Sequence, residues 1–211
     1  MLNSPKYIVL HTSDVSYKKI SDQFVSINRY HRDVTQFPVS TLGYYTGYHV
    51  LVTGEKVYKC RLDSDEGAHC NQGYDGFTVY QPENKSTWPK GVLSMNFQSL
   101  SICFGGDGDI EYPTAMQYAL MQKQVWDWQD KYKISNENVF FHRKFSPVKT
   151  CPGSLLNQEW LNKFLERPVP VVIPPKPVEN MCVAQEKEIA KLKEQLAWYD
   201  KLLTWFFSKI A

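Results

Sequence analysis

The chain has 211 residues, enough for one well-buried domain and a smaller appendage. Its 43% hydrophobic and 22% charged residues exclude a disordered or fibrous chain. A net charge of +2 without a dense basic run excludes an electrostatic drive toward nucleic acid, and no apolar run approaches the ~18 residues of a transmembrane span.

The opening Met-Leu-Asn-Ser-Pro-Lys shows no basic region followed by a long apolar stretch, so no secretory signal is read there and the cytoplasm is the expected compartment. Five cysteines (60, 70, 103, 151 and 182) are odd in number and irregular in spacing, a poor disulfide framework. A Cys60–Cys70 pairing is the one that stays open.

Tyr7–Leu10 is a short apolar run suited to a buried strand, and it ends at His11. Ser16 is placed to cap a helix carrying Ile20, Phe24, Ile27 and His31 on one face. Tyr48–Val52 and Lys56–Tyr58 flank Thr53-Gly54-Glu55, the pattern of a hairpin. Leu100–Phe104 is a further buried strand, closed by Gly105-Gly106-Asp107-Gly108. Pro113 opens a long helix whose buried stripe is Tyr118, Met121, Val125, Trp128 and Tyr132. Val139–Phe141 is another strand, and a last helix is expected from near Pro152, with Leu156, Trp160 and Phe164 inward. These elements make an α/β fold: a mixed central sheet flanked by helices.

Glu166 to Asn180 reads ERPVPVVIPPKPVEN, whose prolines remove backbone donors and fix φ. It divides the chain into a catalytic-looking domain (1–166), a proline-rich linker (167–180) and a C-terminal helix (181–211). In that helix Ile189, Leu196, Leu203 and Ile210 share one heptad position and Leu192, Tyr199 and Phe206 another. Such a seam fits a coiled coil that makes a homo-oligomer. Docking on the first domain, or membrane or wall contact through an amphipathic face, stays open.

Zinc hydrolases hold their metal with three protein ligands and leave a fourth position open. Two histidines end apolar strands, His11 and His142, and Cys151 follows His142 by nine residues in a loop stiffened by Pro147 and Pro152. Each alone is weak, because a lone histidine or buried cysteine is commonly structural.

Together with Ile8-Val-Leu-His11-Thr-Ser13, Gly47-Tyr48-His49-Val50, Gly67-Ala-His69-Cys70, Ser101-Ile-Cys-Phe-Gly-Gly-Asp107 and Lys149-Thr-Cys151-Pro-Gly153, they make residues 6–165 resemble a known family. It is that of the zinc-dependent N-acetylmuramoyl-L-alanine amidases of the phage lysozyme and peptidoglycan recognition protein type. The resemblance implies that His11, His142 and Cys151 bind Zn²⁺ and that Tyr48 and Lys149 assist catalysis. It also implies a substrate, bacterial peptidoglycan, cut between N-acetylmuramic acid and L-alanine, and a phage endolysin that lyses its host. A peptidoglycan-binding module without catalysis, and an amidase recycling soluble muropeptides, are the alternatives.

On a strand, Tyr48 and His49 would point to opposite faces, and the resemblance selects Tyr48 for the site. In an extended Lys149-Thr-Cys151 segment the first and last residues share a side. His69 is expected to be structural or to face substrate. His31 resembles the family's His-Arg pair, but residues 33–46 are longer than its pattern and are expected to form a rim loop.

Overall fold

Strand β1 (Tyr7–Thr12) is buried in all but its first residue, as suits a strand covered on both faces. It runs parallel to β4 (Ser99–Phe104) on one side and to β5 (Val139–Phe141) on the other. Strand β2 (Val50–Thr53) pairs parallel with β4 and antiparallel with β3 (Lys56–Lys59) across the Gly54-Glu55 turn. The sheet order is β3-β2-β4-β1-β5, so the expected mixed sheet with flanking helices is present. The computed structural model describes residues 2–20, 22–70, 94–145, 149–168 and 186–197.

Side-chain alternation divides the sheet into two faces. One carries Ile8, Leu10, Leu100, Ile102, Phe104, Val50 and Val52. It packs on α2 (Ala115–Tyr132) through Met121, Val125 and Trp128, and on α3 (Gln158–Leu165) through Leu161 and Phe164. Each large apolar side chain removed from water there contributes roughly 1.5–3 kcal/mol. The other face carries Val9, His11, Ser99, Ser101, Cys103 and Leu51, and its smaller clusters leave room for polar groups.

The sequence signals set helix identities better than helix starts. Helix α2 begins with a capping box between Thr114 and Gln117 and ends on left-handed Lys133. Helix α1 (Phe24–Asp33), by contrast, starts eight residues after Ser16. The Ser16 hydroxyl instead donates to the buried Glu111 carboxylate at 2.9 Å, and Tyr17 N–H does so at 2.8 Å. That draws the segment toward the loop after β4, leaving one turn closed on Ser16 O. Helix α3 likewise begins at Gln158, capped by Asn157, not near Pro152. Gly153 has φ +113°, which residues entering a helix do not adopt.

Residues 33–46 form a pinned rim. Buried Arg61 donates to Pro38 O, Thr46 O and Glu66 O at 2.7–2.9 Å, and Asn28 Oδ1 accepts from Tyr45 N and Thr46 N.

The chain divides into two compact units, Met1–Glu166 and Arg167–Ala211. In the second, residues 186–197 are helical, and Ile189, Leu192 and Leu196 stand exposed on it. Linker residues 169–180 and seam residues from 198 onward lie outside the described part. Among the described residues no helix is long and apolar enough to cross a membrane. Cys60, Cys70, Cys103 and Cys151 are all free thiols, so the Cys60–Cys70 pairing does not form.

Candidate metal centre and active site

Three separate segments deliver the expected ligands to one point. His11 comes from the end of β1, His142 from the 3₁₀ turn His142–Lys144 that follows β5, and Cys151 from the loop beyond. One ligand atom from each lies within 4.8 Å of the others. The His11 and His142 rings are 4.4 Å apart, and Cys151 Sγ sits 3.7 Å from His11 Nδ1. His11 and His142 are buried, and His142 Nε2 has no hydrogen-bond partner. An orphaned lone pair facing two further soft donors is what a metal ligand set requires.

A second triple, His11, His69 and Cys70, is equally close, so proximity alone does not choose. The surroundings do. His11, His142 and Cys151 open on a cavity of about 840 Å³, whereas Cys70 does not line it. Catalytic metal sites keep a position open to substrate, and the first triple faces the cavity with all three of its residues, the second with His11 and His69 alone.

Electrostatics suit neutral imidazoles. Burial, then the charges of neighbouring groups, holds His11 far below the usual histidine range, and burial plus the Lys149 ammonium brings His142 down to about 3. Both keep a free lone pair at neutral pH. Burial pushes the Cys151 thiol up to about 12, so it ionises only when a cation sits beside it. The Thr12 amide points at that sulfur from 3.5 Å, a donor ready for the thiolate.

Arg143 fixes the two C-terminal candidate ligands relative to each other. Its backbone N–H donates to Cys151 O at 2.8 Å, and its guanidinium reaches Thr150 O, Gly153 O and Leu156 O. The loop is also seated on Gly108: a Cβ on Gly153 would lie 1.9 Å from the Gly108 carbonyl carbon. Sequence reasoning passed over Arg143. With Lys144 beside it and Lys149 in the same loop, it carries no local signal, and its carbonyl partners come together only in three dimensions.

Tyr48 and Lys149 both line the cavity. The Tyr48 ring lies 5.0 Å from His11, while Lys149 is exposed and its charge is felt at both imidazoles. Tyr48 and His49 precede β2, so strand alternation is not what separates them. His49 is held elsewhere: Nδ1 meets Ser101 Oγ at 2.9 Å, and Nε2 meets Asp65 O at 3.1 Å. The Tyr48 hydroxyl bonds Cys103, and burial lifts it well above the usual phenol range, so it keeps its proton and is able to donate. His31 also lines the cavity. Its Nδ1 accepts from Gly47 N–H at 3.1 Å, which leaves the proton on Nε2.

Comparison with solved structures finds this fold repeatedly. The N-acetylmuramoyl-L-alanine amidase LysC from Clostridium intestinale URNW aligns with a TM-score of 0.55 at 18% identity, over 78% of this chain and 89% of that one. Bumblebee PGRP-SA gives 0.55 and 18% over 81% and 90%. The Ph2119 endolysin from Thermus scotoductus MAT2119 bacteriophage Ph2119 gives 0.50 and 20% over 78% and 87%. At such identities the likeness establishes the fold. Comparison with curated protein sequences gives no match. The profile of one family, described as N-acetylmuramoyl-L-alanine amidase, matches residues 1–154, and these span β1 to the Cys151 loop and hold every ligand of the cavity-facing triple. The chain therefore belongs to the N-acetylmuramoyl-L-alanine amidase family.

Proposed function

We propose that this amidase is zinc-dependent, with His11, His142 and Cys151 as ligands and Tyr48 and Lys149 as its donor groups. The observation that carries the reading is the convergence of three ligand atoms within 4.8 Å at the wall of an 840 Å³ cavity. Bound there, zinc would supply Lewis acidity, polarising a carbonyl and bringing the ionisation of water near pH 7.

The chain's own groups do the rest. Neutral His11 and His142 present lone pairs, and Thr12 N–H supports the Cys151 sulfur. The scissile amide links the lactyl group of N-acetylmuramic acid to L-alanine. As its carbonyl becomes tetrahedral, negative charge grows on oxygen, and the Lys149 ammonium is an exposed donor at the cavity to meet it. Tyr48, protonated and buried, offers its O–H as a second donor once substrate competes with Cys103. Removing one such donor typically costs ~10²–10³ in turnover.

We infer further that the enzyme is a phage endolysin, made in the host cytoplasm and acting on the wall once the membrane is opened. Solved neighbours titled as endolysins support this. Its working parts are an amidase domain (1–166), a proline-rich spacer (167–180) and a C-terminal helix (181–211). The exposed Ile189, Leu192 and Leu196 support self-association of that helix. Sedimentation of the full chain is expected to show an oligomer that a chain ending at Arg167 does not form; two monomers would dismiss it.

The activity test uses purified, zinc-loaded protein on intact peptidoglycan. New L-alanine amino termini are expected, without new reducing sugar ends. Peptidoglycan binding with no released termini would point instead to a binding module, and cleavage of soluble fragments only would point to recycling.

A further inference from the structure

The Gly67-Ala-His69-Cys70 motif is not used by the metal or donor roles above, yet His69 stands directly behind a metal ligand. His11 Nδ1 faces Cys151, so its other nitrogen, Nε2, carries the proton when Nδ1 ligates. That N–H is buried and needs an acceptor, and His69 Nδ1 lies 3.0 Å from it. We propose that His69 is a positioning residue for zinc: it accepts the His11 Nε2–H bond and so fixes the tautomer and orientation of that ligand.

The direction of the chain follows from its far end. Ser99 Oγ donates to Met95 O at 2.6 Å, which spends its only proton. Toward His69 Nε2, 3.2 Å away, Ser99 can therefore only accept, so Nε2 bears the proton and Nδ1 is bare. Cys70 Sγ, 3.1 Å from Nδ1, is in this tautomer a second potential donor to the same lone pair. Three links thus run from the ligand to a backbone carbonyl with every proton assigned.

The ring is held for this task. Asn96 Oδ1 accepts from His69 N and Cys70 N at 3.1 and 3.0 Å, and Asn96 O accepts from Gly67 N. A Cβ on Gly67 would sit 2.4 Å from the His69 ring, so only glycine leaves the ring its place. Residues 95–97, which run into β4, provide both the clamp and the terminal carbonyl. A partner of this kind that is mutated commonly costs a metal site 10–100-fold in affinity.

This inference rests on the zinc reading, and the test separates the two. Zinc affinity of the full chain is measured by chelator competition for wild type, His69→Phe, His69→Gln and Ser99→Ala. His69→Phe is expected to bind zinc ~10–100-fold more weakly, His69→Gln to recover part of that through its amide oxygen, and Ser99→Ala to lose several-fold. In the Co²⁺-substituted His69→Phe protein the thiolate-to-cobalt band should persist, because Cys151 remains a ligand. Loss of the band would put His69 and Cys70 in the ligand set and overturn the assignment. So would zinc affinity within about twofold of wild type, including when only KM for peptidoglycan changes. If His69→Phe fails to fold, Ser99→Ala decides by the same criterion. A wild-type chain that binds no zinc fails the zinc reading itself.

Discussion

Cys151→Ser is expected to leave the fold in place, strip zinc from about one per chain to almost none, and lower amide hydrolysis by more than ~10³. The side chain changes by one atom, and the loop around it is secured independently by Arg143 and by the Gly108–Gly153 contact. Far-ultraviolet circular dichroism should therefore be unchanged. The ligand is lost because a serine hydroxyl, unlike a thiol, does not ionise readily beside a dication, and His11 and His142 alone make a weak pair. The drop exceeds that for a lost oxyanion donor because the group to which the substrate carbonyl is oriented disappears. Inductively coupled plasma analysis and release of L-alanine termini check the two halves. Retention of both zinc and activity would sink the assignment and move the metal to His11, His69 and Cys70, in which case Cys70→Ser would be the variant that loses it.

Much of the sheet was legible because buried strands announce themselves. Ile8, Val9 and Leu10, and Leu100 through Phe104 with only Ser101 polar, are short apolar runs that suit a covered strand, and both strands are central. Helix α2 was legible through its stripe and the Thr114–Gln117 pair. The two misplaced helix starts share a physical cause. Ser16 and Pro152 are good local start signals, but a long-range contact claims each: the Glu111 carboxylate takes Ser16, and the Gly108 backbone takes the Pro152-Gly153 turn. Such partners lie 95 and about 45 residues away, beyond any local pattern.

The site shows the same division. His11, His142 and Cys151 were singled out because strand ends and a distinctive loop mark them and the family resemblance joins them, and the structure brings them together. The separation of Tyr48 from His49 was argued from strand alternation, with the family resemblance choosing Tyr48, yet β2 begins only at Val50, and His49 is kept aside by Ser101 and Asp65. What could not be seen were the groups that orient the ligands. Arg143, Thr12 and the path from His69 to Met95 act through backbone carbonyls and amides, which carry no residue-type signature. Hydrogen-bond accounting in three dimensions exposes them.

Acid should unfold this protein well above the carboxylate range. All five histidines of the chain are buried, at 0–8% exposure, and burial is the first cause depressing each of them. His31 and His49, neither of them among the proposed ligands, are brought down to about 4. In the unfolded chain an imidazole takes its proton near pH 6.5. Between 6.5 and 4 the unfolded state thus binds more protons than the native one, so stability rises with pH in this window and is lost as pH falls. At pH 5 each of the two contributes a loss of 1.5 units at 1.36 kcal/mol, together about 4 kcal/mol relative to neutral pH. That is a large share of the 5–15 kcal/mol by which domains are stable. Asp22, held at about 2 chiefly by the Tyr58 hydroxyl, loses its contribution only below about 4 and so leaves the window to histidine. Urea unfolding in the presence of a chelator, which removes proton-driven metal release from the balance, should show the midpoint fall by about 2 M between pH 7 and pH 5. A midpoint unchanged across that interval would mean that the native imidazoles take up protons in step with the unfolded ones, each with an acceptor at both ring nitrogens. The Gly47 N–H aimed at His31 Nδ1 forbids that arrangement for at least one of them.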